Sequence, residues 1–367
     1  MNYNKGCGVK LMENLLYKDE MTPKERETAI SSGKMADRIQ CCPFVGEVGA
    51  KFIGVKISEL CHDYKLLAKN EINLYRTFGF DSAGGGPNLF GIAEAMGTVL
   101  AYPDDDMPYV DIPVVKEYDD IDKLKPADPH KDGRLPLFLE AAKIINQEIG
   151  REVDISSDFG GPFTTAASLR GVDVFLRDTL RNPEWVHKLL NIATESIFNY
   201  IDAVCDIGVK PCISEPVASL TVISPRQFRT FVKPYLKRCV DRIVEKFGSA
   251  PTIHICGNTK GVWQDIADTG IQMFSVDNVV DLEEVKRSIG DRVGLMGNVE
   301  PIEIVCNGTK DEIFQEARKC IRKAYDNPKG FVLSTGCKVP MATSRENIEF
   351  LMDAARTYGK YPIEDNI

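Results

Sequence analysis

His254 and Cys256 stand two residues apart at the end of the apolar run in Pro251-Thr-Ile-His-Ile-Cys-Gly-Asn-Thr-Lys260, so both side chains leave one face if that run is a strand. A third soft donor, Cys337, closes another apolar run, Phe331-Val-Leu-Ser-Thr-Gly-Cys-Lys338, just after a glycine that lets backbone come close. One imidazole and two thiolates make a zinc-preferring set, and three protein ligands leave a fourth position for a substrate or a displaceable side chain. A structural zinc would bring closely spaced CxxC pairs, which the sequence lacks, so an open, catalytic site is the expectation. The competing reading is a buried histidine packed beside buried thiols, and it is the position of the three residues in the fold that decides between the two.

Those positions follow from a regular alternation. Short apolar runs near 39–45, 80–84, 152–158, 210–215, 252–256, 271–276, 292–297 and 330–335 read as strands, separated by segments of helical periodicity. Eight such strands predict an α/β fold, a (β/α)8 TIM barrel, carrying an N-terminal helical extension and a surface insertion. Residues 1–37 form the helical leader, with weak helical character at Asn14–Tyr17 and Thr22 as N-cap before Pro23; residues 38–367 form the barrel domain. The leader is expected to cap or lid the body, and the leader or the insertion to gate its mouth. A helix is expected from about Ile57 to Phe78, others near 170–180, 183–207, 224–247, 259–269, 281–289 and 309–326, and a last one at 343–358. The Pro- and Asp-rich stretch 98–133 reads as the irregular insertion.

In a barrel, chemistry gathers where the strands end, and Asp158, Glu215, His254, Cys256, Asp277, Asn298 and Cys337 all fall there. Asp277 and Glu215 are candidate fourth ligands, with capping of a following helix or substrate hydrogen bonding as the alternative. Asp158, Glu215, Tyr235 and Asn298 are candidate substrate contacts, each with a structural role as its rival.

Composition sets outer limits. The 367 residues carry a net charge of −9 with basic and acidic residues interspersed, which argues against a nucleic-acid partner. No run suits a membrane span, and the start has no secretory pattern, so the expected location is cytoplasmic. Eleven scattered cysteines fit free thiols in a reducing compartment, with the pair Cys41 and Cys42 taken as packing. Gly84-Gly-Gly-Pro-Asn88 lacks the Lys-Ser/Thr of a phosphate loop and reads as a plain loop. Asp128-Pro-His-Lys-Asp-Gly133 matches a D-x-H-x-x-G cobalt-ligand pattern, but a Pro/Lys linker precedes it and a single helix follows, so intrinsic corrinoid binding by His130 is not expected.

Several strings together resemble the uroporphyrinogen-decarboxylase superfamily, and within it the zinc-dependent corrinoid-protein methyltransferases. They are Gly160-Gly-Pro-Phe-Thr-Thr165, Ser214-Glu-Pro-Val-Ala-Ser219, Ile223-Ser-Pro-Arg-Gln-Phe228, Phe231-Val-Lys-Pro-Tyr235, His254-Ile-Cys-Gly257, Gly297-Asn-Val-Glu-Pro301, Ser334-Thr-Gly-Cys337 and Arg345-Glu-Asn-Ile348. The stretch Ile39-Gln-Cys-Cys-Pro-Phe-Val-Gly46 lacks the arginines by which decarboxylases of the superfamily hold four-carboxylate tetrapyrroles. The resemblance therefore implies a methyltransferase with zinc on His254, Cys256 and Cys337 and a corrinoid supplied by a partner protein, and it leaves room for an oligomer. The favoured direction is demethylation: methyl passes from a small methylated donor, such as a methoxylated aromatic, to the cob(I)amide of that partner. The alternative is a methylcobamide:thiol (coenzyme M) methyltransferase; a decarboxylase-like lyase or a non-catalytic corrinoid-protein adaptor ranks below both.

Overall fold

Alternating side chains build each strand of the sheet that carries the site. In the strand Thr252–Ile255, Ile253 and Ile255 are fully buried toward the surrounding helices, which turns Thr252 and His254 to the other face. The computed structural model describes residues 19–363, so the expected turn of helix at Asn14–Tyr17 lies outside the described residues.

Among the described residues ten strands follow in chain order: β1 Gln40–Cys41, β2 Ala83–Gly84, β3 Val99–Ala101, β4 Tyr109–Ile112, β5 Ile155–Gly160, β6 Lys210–Ser214, β7 Thr252–Ile255, β8 Met273–Val276, β9 Gly294–Val299 and β10 Phe331–Thr335. Eight of them form one parallel sheet in the order β1-β10-β9-β8-β7-β6-β5-β2, wrapped by helices, the (β/α)8 barrel that the alternation predicts. The ladder is open between β1 and β2. There the Asp81 N–H donates to the Cys41 carbonyl at 3.0 Å, and the Cys41 N–H donates to Asp81 Oδ2 at 2.7 Å.

Several helices differ from expectation for local reasons. The expected run from Ile57 to Phe78 splits into Ile57–Leu60 and Tyr64–Phe78, because Asp63 Oδ1 accepts the N–H groups of Lys65 and Leu66 and starts a new helix. The expected helix 224–247 is interrupted by a π-helical turn at Phe228–Val232 before Lys233–Phe247. The glycine-rich exit of β5 leads straight into a helix absent from the expected set, Pro162–Arg170, entered through Gly161 with Pro162 in its first turn. Within the insertion, β3 and β4 pair as an antiparallel hairpin, so the stretch is not wholly irregular. No described helix is long and apolar enough to cross a membrane.

The leader helix Pro23–Ser31 starts as the sequence predicts, with a reciprocal capping box between Thr22 and Glu25. It does not gate the mouth. The Lys24 N–H donates to the Glu152 carbonyl just before β5, the Gln40 amide of β1 donates to Glu27, and Arg26 reaches Asp81 just before β2. All three contacts lie at the strands' N-terminal ends, so the helix closes the barrel's base. Arg26 and Arg38, 0 % and 2 % exposed, share a buried network in which Arg26 also binds Asp37 and Arg38 binds Asp19 and Asp81. Arg356 of the last helix, Arg345–Tyr358, joins through Asp19.

Candidate metal centre at the barrel mouth

β7 and β10 are separated by two strands, and both open on the C-terminal end of the barrel. That arrangement brings His254, Cys256 and Cys337 together, with one ligand atom from each within 4.8 Å of the others. His254 Nε2 lies 3.1 Å from Cys256 Sγ, and the two sulfurs are 3.7 Å apart. Two sulfurs held at ~2.3 Å by a tetrahedral zinc would lie about 3.8 Å apart, so the observed spacing matches an edge of such a site and is far too long for a disulfide. The donor set fits zinc in its chemistry, and its two sulfurs fit it in spacing.

Two glycines allow the approach. A Cβ at Gly336 would sit 2.3 Å from the backbone nitrogen of Asn278. One at Gly257, where φ is +67°, would meet Ser219 Oγ at 2.5 Å. The other ring nitrogen of His254, Nδ1, lies 3.0 Å from Ser275 Oγ of β8, which sets the ring so that Nε2 faces the sulfurs. The Phe44 ring packs on the imidazole at a centroid distance of 5.5 Å.

Without metal the two thiols share protons unequally. Cys337 lies well below the usual thiol range, first because Cys256 donates to it and then because His254 and the Lys338 backbone N–H favour its thiolate. Cys256 is raised correspondingly, by the hydrogen bond to Cys337, by burial, and by the nearby negative charges of Cys337, Asp277 and Asp158.

The carboxylates expected around this set have other engagements. Both oxygens of Asp277 accept backbone N–H groups, from Gly257 at 2.7 Å and Val279 at 3.0 Å, so it approaches the thiols without joining the donor group. Glu215 is fully buried and caps the helix Pro162–Arg170, accepting from the N–H groups of Phe163 at 3.0 Å and Thr164 at 2.8 Å and from the Thr164 hydroxyl at 2.7 Å. Burial pushes its carboxyl up to about 7 against the pull of these donors. Asp158 accepts the Ser214 hydroxyl at 2.9 Å; removal from water raises it to about 6, opposed by that bond and by the charges of His254 and Lys338.

Asn298 is turned away from the donors: its amide donates to the Asp277 and Val280 carbonyls at 3.0 and 2.7 Å, and its oxygen faces Cys320 Sγ at 3.6 Å. Tyr235 lies on the outer helix Lys233–Phe247, where its hydroxyl is 2.8 Å from Nδ1 of His187 on the neighbouring helix. The structure thus unites three of the expected residues, places Asp158 and Asp277 beside them, and leaves Glu215, Asn298 and Tyr235 engaged elsewhere. His130 is exposed in a turn held by Asp128, and Cys41 and Cys42 have free thiols raised by burial.

Sequence reasoning missed Lys338, Glu47, Asn88 and Glu71. Lys338 forms an ion pair with Glu47, whose other oxygen takes the Asn88 amide. Burial, and then the charge of Glu47, push the Glu71 carboxyl up to about 8. The available signal was a lysine placed directly after a candidate ligand at a strand's end.

The chain is 30 % identical over 351 residues to the methylcobamide:CoM methyltransferase MtaA of Methanosarcina barkeri, covering 92 % of this chain and 99 % of that one. It is 26 % identical to a methylated-thiol--coenzyme M methyltransferase of Methanosarcina mazei, covering 92 % and 90 %. A solved structure described as a methyltransferase from Methanosarcina mazei superposes with a TM-score of 0.82 at 28 % identity, covering 92 % of this chain and 99 % of that one. Since the family model for uroporphyrinogen decarboxylase (URO-D) also matches residues 22–358, the chain belongs to the URO-D family.

Proposed function

We propose that the protein is a methyltransferase that moves methyl from the methylcobamide of a separate corrinoid protein to a small thiol, with zinc held by His254, Cys256 and Cys337. The observation that carries this reading is the convergence of one imidazole and two thiols at the open end of the barrel, with the two sulfurs 3.7 Å apart. The direction is the reverse of the demethylation favoured by sequence alone. What supports the change is the run of relatives named for transfer to coenzyme M, matched over 92 % of this chain.

Zinc bound to this set would lower the pKa of a thiol placed in its open position, so that the thiolate prevails at neutral pH. The thiolate sulfur attacks the methyl carbon; the carbon–sulfur bond forms, the cobalt–carbon bond breaks, and its electron pair stays on cobalt, taking Co(III) to Co(I). The chain's own part is positional. Ser275 orients His254, Phe44 covers the imidazole, and the Lys338 backbone N–H favours the Cys337 thiolate.

The test pairs metal analysis with turnover in both directions. Purified protein should hold one zinc per chain and convert methylcob(III)alamin to cob(I)alamin when supplied with thiols. The reverse assay offers cob(I)alamin with methoxylated aromatics or methylamines and should show no comparable rate. Cys337→Ala should lose zinc and about two orders of magnitude or more in rate while staying folded. Full activity in zinc-free protein would defeat the proposal.

A further inference from the structure

We propose that Lys338 is a specificity-determining residue, its ammonium reading the negatively charged end of the thiol whose sulfur occupies the donor set. The inference rests on the thiol-transfer reading above and assigns a role to a side chain that this reading leaves unused. Lys338 follows Cys337 directly, and its ammonium lies against Gly46 and Glu47, two and three residues beyond Phe44, whose ring packs on His254, so the loop that holds the ammonium also borders the donor set. Its charge also bears on Asp158, which in turn feels His254.

A permanent structural ion pair is the rival account, and three features weigh against it. The pair is lopsided: the Lys338 side chain is 34 % exposed, while Glu47 is 8 % exposed. Glu47 has a second polar partner in the Asn88 amide, so an incoming anion can share the ammonium without leaving Glu47 bare. The elements that hold Lys338 are loops at the mouth: Glu47 lies in the helical turn Gly46–Ile53 after β1, and Asn88 in the loop after β2. The ligand class is a small thiol with a sulfonate or carboxylate a few bonds from sulfur.

Binding is measured without turnover. Zinc-loaded wild type, Lys338→Met and Glu47→Gln are titrated calorimetrically with 2-mercaptoethanesulfonate, 3-mercaptopropionate, 2-mercaptoethanol and cysteamine, after zinc content and melting show each variant folded. Wild type should bind the two anionic thiols at least ~10-fold more tightly than 2-mercaptoethanol. Lys338→Met should lose about ten- to a hundredfold on the anionic thiols and little on the neutral one. Glu47→Gln, by releasing the ammonium, should tighten the anionic thiols; a purely structural pair predicts no such gain, and this variant decides the matter if Lys338→Met does not fold. Equal losses on all four thiols, no anion preference in wild type, or weaker anion binding in Glu47→Gln would each overturn the proposal. Failure of methyl transfer with the anion preference intact would defeat the proposed function and leave the role of Lys338 standing.

Discussion

Ser275 Oγ occupies Nδ1 of His254, and that single hydrogen bond leaves Nε2 free to face the two sulfurs. A ligand ring without such a partner can swing or take the other tautomer, so Ser275→Ala should weaken zinc binding by about 10- to 100-fold without unfolding the protein. Competition with a chromophoric chelator measures this, and an unchanged zinc affinity would show the hydroxyl to be incidental. The three soft donors were legible because a strand's two-residue period and a glycine before Cys337 leave few other readings. The roles of the carboxylates were not. Asp277 and Glu215 sit at strand ends, where a carboxylate serves a metal or a backbone N–H group equally well, and only the position of the next helix shows which it faces. Lys338 was illegible for a different reason: its partner Glu47 lies 291 residues away in the chain.

At the scale of elements, the helix Pro162–Arg170 shows how a distant residue can start a helix. Its N-cap position is Gly161, which has no side chain to offer, and the carboxylate arrives from Glu215 at the end of β6. A Cβ at Gly161 would lie 2.4 Å from Glu215 Oε1, so glycine is required for the cap to fit. This is why no helix was expected directly after β5: the usual local signal, a side-chain cap, was missing. Glu215→Ala leaves two buried N–H groups and a threonine hydroxyl without their acceptor, and should cost about 2–4 kcal/mol in chemical denaturation. Zinc stoichiometry should be unchanged, and loss of the metal in that variant would restore Glu215 as a ligand. The strands were better forecast than the helices, since alternation needs only neighbouring residues while caps, the π-helical turn and the hairpin depend on partners far along the chain.

Across the whole molecule, the ion network at the base joins the leader helix, β1, the start of β2 and the last helix. Removing one partner from a buried set strands the others, so Arg26→Ala should lower stability by about 3–5 kcal/mol and shift the denaturation midpoint accordingly. A wild-type midpoint would mean that the network contributes little. The eight-strand architecture was legible from the count of apolar runs, whereas nothing local said that the leader sits under the barrel rather than over it. Asp81 gives that placement its significance. The ring of strands is a hoop fastened along most of its length by continuous ladders, and between β1 and β2 it is held instead by isolated contacts, Asp81 with Cys41 and Arg38 and the Cys42 thiol with the Ser82 carbonyl. A hoop opens first where it is least fastened, so the first strand contacts expected to part are those at the join between β1 and β2, on the far side of the sheet from the β7 strand that carries His254.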